Sequence, residues 1–270
     1  MAVSSTRGVI HPTPMSLPAA TVMAAALALI GVATTGCGGN ADRPPAAPSQ
    51  PVPQTAAEST ATSAADCSPA GLIVFDGDSL TEGYFLPESQ SYPTQAMRQL
   101  PAWLEWTNVA VSGQTWPDLL GDATAEVDAL HDPARQLNLV VVWAGANDLA
   151  SGRSARQAFH NARRYCEARV HAGFTVVTLT MYPLEPAAID PGYDVQRREY
   201  NRLLRTHWRE FAHGLVDVAA DERLGDASPA GRSTYFLDAV HLNAAGYGVI
   251  ADAVATALRS IVADASRSAP

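Results

Sequence analysis

From residue 71 onward, short runs of consecutive apolar residues alternate with longer stretches in which apolar positions recur every three or four residues. Leu72-Ile73-Val74-Phe75 is the first run, and the turn-forming Gly77-Asp78-Ser79 stops it. Residues 106–111, 137–143 and 174–181 form three more, and 215–219 a weaker fifth. Predominantly apolar runs of this length suit strands buried on both faces of a parallel sheet. Helical periodicity covers 91–104, 116–130, 154–172, 195–211 and 243–261. In the third of these, Phe159, Ala162, Cys166 and Val170 share a face; in the fourth, Tyr200, Leu203, Leu204, Trp208 and Phe211 do. Asn243 stands where an N-cap belongs, ahead of Ile250, Val254, Leu258 and Ile261. Strands alternating with helices of this length predict a three-layer α/β/α sandwich built by right-handed crossovers. Its chemistry is expected outside the carboxyl ends of the strands.

The first seventy residues follow neither pattern. Arg7 is the only charged residue before Asp42, and an apolar stretch from Leu17 to Val32 ends in Thr34-Thr35-Gly36-Cys37. Residues 1–36 therefore read as an export signal. Cys37 resembles the lipobox cysteine of bacterial lipoproteins, with Thr34 where those sequences favour Leu. That resemblance implies a lipid on Cys37 and a membrane anchor on the extracytoplasmic side; a secreted product is the alternative. Residues 37–70 are rich in Pro, Ala, Ser and Thr and nearly free of large apolar side chains, so burial cannot offset their ordering entropy. They read as a tether to a folded domain over 71–265, with 266–270 as a tail. With Cys37 lipidated, Cys67 and Cys166 remain, and an oxidising compartment favours a disulfide between them.

Composition narrows the chemistry. The 270 residues carry 18 basic and 27 acidic side chains, a net charge of −9, which argues against a nucleic-acid partner. The chain contains no lysine, so Schiff-base and P-loop chemistry are excluded. The three cysteines lack C-x-x-C spacing, and no metal is expected.

Four short blocks follow the strands or precede the last helix: Gly77-Asp78-Ser79-Leu80, Ser112-Gly113-Gln114, Gly145-Ala146-Asn147-Asp148 and Asp238-Ala239-Val240-His241. A hydroxyl, a glycine amide, a carboxamide and an Asp/His pair thus converge on one rim, the inventory that acyl transfer needs. The set resembles the SGNH hydrolase superfamily, the GDSL-type esterases and lipases, over residues 71–265 and in that family's order. The resemblance implies a parallel, flavodoxin-like five-stranded sheet in the sandwich. It also implies a cofactor-free Ser-His-Asp site that cleaves carboxylic esters or thioesters. Ser79 is the expected nucleophile, His241 its base and Asp238 the group that orients the imidazole. The amides of Ser79 and Gly113 and the Asn147 side chain are the expected oxyanion donors.

Asp148 is expected to be structural, and Asp76 and Asp78 to organise the loop rather than hold a metal. His131, His160, His171, His207 and His213 are expected to be structural or surface residues. Trp143 reads as core, whereas Tyr84, Phe85 and Tyr182 are candidates to line an acyl or alcohol pocket. The expected substrate is a glycan, lipid or small-molecule ester with a small or medium acyl group. An acyltransferase with the same triad, or a non-catalytic module binding acylated glycans, are the alternatives; loss of a triad residue would mark the latter, and none is missing.

Overall fold

The computed structural model describes residues 71–185, 192–225 and 228–267. Cys37, Cys67, the export signal and the tether lie outside the described residues. Five strands form one parallel sheet in the order β2-β1-β3-β4-β5: β1 Gly71–Gly77, β2 Leu104–Asn108, β3 Asn138–Trp143, β4 Thr175–Leu179 and β5 Gly214–Val216. This is the flavodoxin-like order expected. Every residue of β1 and β3 is buried, which is why Leu72 to Phe75 and Leu139 to Trp143 appear as unbroken apolar runs. Nine helices are described: α1 Ser79–Glu82, α2 Tyr92–Met97, α3 Trp116–Glu126, α4 Ala146–Ala150, α5 Ala155–His171, α6 Tyr193–His207, α7 Glu222–Gly225, α8 Pro229–Tyr235 and α9 Ala244–Arg267. Helices α3, α5 and α6 pack side by side, whereas α2 packs against α9, which also contacts β5. The sheet is therefore covered on both faces. Helix α9 is apolar enough in length and composition to cross a membrane, but half of that stretch is buried inside the domain, as in a core helix.

Element bounds differ from the pattern in the sequence, most of all between α2 and β2. Helical periodicity ran on to residue 104, yet α2 ends at Met97. Pro101 lies just beyond, and the Leu104 amide donates to the Pro101 carbonyl in a turn that returns the chain to the sheet. Leu104 is then buried opposite Gly71, so β2 starts two residues ahead of the apolar run. The run itself continues to residue 111 because the Val109 and Val111 amides still donate to Phe75 and Gly77 beside β1. Asn243 caps α9 as expected, its Oδ1 accepting from the Ala245 and Gly246 amides at 2.9 and 3.1 Å. That helix runs to Arg267, six residues past the expected periodicity and two past the expected domain boundary.

The strand order reverses between β1 and β3: from β1 the chain crosses outward to β2, and from β3 it crosses outward the other way to β4. The helices leave a crevice at such a switch point, beyond the carboxyl ends of the two strands. Ser79 follows β1 there and Asn147 follows β3.

Candidate active site

Strand β1 delivers Ser79 through a tight exit. At Gly77 a Cβ would fall 2.2 Å from the Trp143 carbonyl oxygen, so only glycine lets the ends of β1 and β3 approach this closely. Asp78 caps α1, its Oδ1 accepting from the Leu80 amide at 3.0 Å. Ser79 is thereby the first residue of α1, and Tyr247 Oη donates to its carbonyl oxygen at 3.4 Å.

The partner loop lies 162 residues on, ahead of α9. His241 Nε2 stands 3.1 Å from Ser79 Oγ, and His241 Nδ1 stands 2.9 Å from Asp238 Oδ2. A carboxylate only accepts, so Nδ1 carries a proton, and in the neutral ring the Nε2 lone pair then faces the hydroxyl. Asp238 Oδ1 also accepts from the Val240 and His241 amides, at 2.7 and 2.6 Å. Burial works to raise the Asp238 pKa, but these hydrogen bonds outweigh it and hold the carboxyl below its ordinary value. Arg232 braces the loop, donating to the Ala239 carbonyl at 2.9 Å while lying 3.7 Å over the Phe236 ring.

The Gly113 block closes the other side. Glu82, in α1, accepts from the Ser112 amide at 2.9 Å and from the Ser112 hydroxyl in a short hydrogen bond. This clamp was not anticipated from the sequence; Glu82 is an exposed acid on a four-residue helix and carries no local signal. Gly113 has φ +85°, and a Cβ there would meet nothing within 4 Å, so backbone conformation and not crowding calls for glycine. Neither its amide nor that of Ser79 donates to an acceptor among the described residues. Asn147 Nδ2 donates to the Gln114 carbonyl at 2.9 Å and reaches Asp78 Oδ2 at 3.4 Å, tying the three blocks together.

The aromatic candidates separate. Tyr182 is fully buried, in edge contact with the Trp143 and Phe236 rings, and its hydroxyl donates to the Val240 carbonyl at 2.8 Å. It supports the His241 loop from within the core and lines no pocket. Tyr84 is half-buried with its ring 4.9 Å from the His241 ring, and Phe85 lies 4.0 Å beyond it, exposed. The disulfide expected between Cys67 and Cys166 is not supported. Cys166 is a free thiol with no exposed surface, on the face of α5 turned to the core, and burial pushes its pKa well up. Apolar periodicity put Cys166 there, and such a position is closed to a partner arriving from outside the domain.

Asp148 takes the structural part expected, accepting from the Trp116 amide at 2.9 Å. Asp76 organises the loop, accepting from the Gly77 amide at 2.7 Å and from the Tyr165 hydroxyl. Among the five other histidines of the described residues, His213 accepts from the Val176 amide at 3.0 Å and His131 packs on Phe174. No group of three metal-ligating side chains occurs among the described residues.

Burial raises two of these carboxyls: Asp76 to about 6, and Asp78, which also faces Asp148, to about 7. A raised pKa means that the folded protein keeps protons the unfolded chain has lost. Stability due to Asp78 is present below its ordinary value of 3.8 and fades as pH rises towards about 7. Asp78→Asn retains the capping oxygen and removes the titration. The variant should lose less melting temperature than the parent between pH 5 and pH 8 by calorimetry; equal losses would mean that Asp78 is ionised throughout.

A hydroxyl, an imidazole and a carboxylate in hydrogen-bonded series, at the switch point of an α/β/α sandwich, define a hydrolase of the acyl-transfer class. The chain belongs to the GDSL-like Lipase/Acylhydrolase family, whose model matches residues 75–249. It is a carboxylic ester hydrolase. Among solved structures it is similar to a member of the lipolytic protein G-D-S-L family from Veillonella parvula DSM 2008, with a TM-score of 0.57 and 20% identity over 68% of this chain and 96% of that one. It is similar also to a catalytic mutant of Axe2, an acetylxylan esterase from Geobacillus stearothermophilus (TM-score 0.57, 19% identity, 70% and 94% covered). The psychrotrophic esterase EstA from Pseudoalteromonas sp. is a third (0.55, 16%, 71% and 98%). At these identities the likeness establishes the fold. No curated protein sequence matches the chain.

Proposed function

We propose that this protein is an exported serine esterase that works through an acyl-enzyme on Ser79. The observation that carries the reading is the series Ser79 Oγ, His241 Nε2 and Nδ1, Asp238 Oδ2, with links of 3.1 and 2.9 Å. Ser79 Oγ attacks the carbonyl carbon of the ester while its proton passes to Nε2. The imidazolium is stabilised by Asp238 and returns that proton to the alcohol oxygen as the carbon–oxygen bond breaks. Water then repeats the sequence, releasing the acid and restoring Ser79. The amides of Ser79 and Gly113 and the Asn147 carboxamide donate to the carbonyl oxygen as it gains charge. The Glu82–Ser112 clamp keeps the Gly113 amide in register with α1. The neighbour described as an acetylxylan esterase makes acetate esters the substrates to test first. Fluorophosphonate labelling followed by peptide mapping tests the reading; the adduct should fall on Ser79, and an unlabelled or differently labelled protein would overturn it.

Anchoring through lipid on Cys37 is part of the same reading, supported by the apolar stretch ahead of Thr34-Thr35-Gly36. Cys37→Ala should move the protein to the aqueous fraction or leave it unprocessed. Identical partitioning and processing of both forms would refute the anchor.

A further inference from the structure

Three of the five exposed large apolar side chains among the described residues belong to the segments that carry the site: Phe85, Val111 and Leu237. Val111 leads into Gly113, and Leu237 precedes Asp238. Phe85 is the extreme case, 68% exposed and at φ +64°, a conformation that a bulky side chain adopts only under strain. It occupies the third position of the turn closed by the Leu86 amide on the Gly83 carbonyl, where a positive φ favours glycine. The strained backbone has one visible consequence. Consecutive side chains usually diverge, but here the Phe85 ring lies 4.0 Å from the Tyr84 ring, which lies 4.9 Å from the His241 imidazole. A continuous ring wall therefore runs outward from the imidazole into solvent. Neither core packing nor a hydrogen bond accounts for its outer end.

We infer that the Tyr84–Phe85 wall binds an apolar group on the alcohol side of the ester, so that the enzyme selects esters of hydrophobic alcohols. This rests on the assignment of His241 as the general acid and base. The oxygen that leaves must lie at His241 Nε2 to receive its proton, whereas the carbonyl oxygen turns towards Gly113 and Asn147. The alcohol chain thus departs on the imidazole side, and the wall begins on that ring. Contact with an apolar surface contributes up to about fourfold per methylene buried. A wall two rings long covers a few methylenes, so a selectivity of tenfold or more is expected.

The test uses acetate esters from methyl to octyl alcohol, and separately p-nitrophenyl esters from acetate to octanoate, with the wild type, Phe85→Gly and Ser79→Ala. Wild-type kcat/KM should rise at least tenfold from methyl to octyl acetate, and Phe85→Gly should remove most of that rise. Glycine also relieves the positive φ, so Phe85→Gly should melt at or above the wild-type temperature. Equal falls for methyl and octyl acetate would overturn the inference, because the wall would then act on His241 alone. A Phe85→Gly effect confined to the acyl series would overturn it too, as would a clear loss of melting temperature, which would make Phe85 a packing residue. Hydrolysis surviving in Ser79→Ala would instead defeat the esterase mechanism itself, whatever the chain-length profile.

Discussion

Ser79→Ala and His241→Ala should each lower kcat/KM towards an activated ester by roughly 10⁵–10⁶, and the double variant should fall no further. Non-additivity follows from the 3.1 Å link between Nε2 and Oγ. Attack and proton removal are one event, so an imidazole without a hydroxyl is as idle as a hydroxyl without its base. Asp238 needs a subtler variant than alanine. Its Oδ1 holds the Val240 and His241 amides while its Oδ2 holds the ring, so Asp238→Ala loosens the loop and removes the counter-charge together. Asp238→Asn can keep the backbone hydrogen bonds, yet a carboxamide nitrogen facing Nδ1 favours the tautomer with the proton on Nε2. A drop of about 10⁴ in kcat is expected from that change alone. Steady-state kinetics with the three single variants and the double decides the matter. A double variant far weaker than either single, or a Ser79→Ala enzyme with wild-type activity, would require another nucleophile.

Asn147→Ala should lose about 10²–10³ in kcat, roughly 3–4 kcal/mol of transition-state stabilisation, with KM nearly constant. In the proposed mechanism the carboxamide meets charge that develops only as the carbonyl is attacked, so the ground state should gain little from it. The structure adds a second consequence. Asn147 Nδ2 also donates to the Gln114 carbonyl beside Gly113, so alanine leaves that carbonyl without its partner. About 1 kcal/mol of folding stability should go with it, read from denaturant midpoints. A variant that keeps wild-type kcat while losing stability would make Asn147 a loop tie and nothing more.

Several parts of this protein are legible in one dimension. Strands β1 and β3 are buried on both faces, so their central positions are apolar without alternation, and Leu72 to Phe75 and Leu139 to Trp143 say so without reference to any partner. Likewise, catalysis at the ends of parallel strands requires short, chemically restricted turns. The four blocks around Ser79, Gly113, Asn147 and His241 are therefore visible as local strings, and family resemblance orders them. Asp238 and His241 are three residues apart, close enough for one turn to bring them together.

What the tertiary structure decided concerns groups whose surroundings come from distant segments. Tyr182 looks like a pocket residue because it follows a strand near the site. Its burial beneath Trp143 and Phe236 depends on where the chain returns about fifty residues later. Cys166 satisfies the parity argument for a disulfide, yet helical periodicity turns it into the core, and burial outweighs parity. The Glu82 clamp, the raised pKa of Asp78 and the ring wall from His241 to Phe85 all arise across chain breaks of this kind. Apolar burial and turn chemistry act on neighbours in sequence and leave a pattern there. Hydrogen bonding, desolvation and ring stacking act on neighbours in space, so their pattern exists only once the sheet has closed.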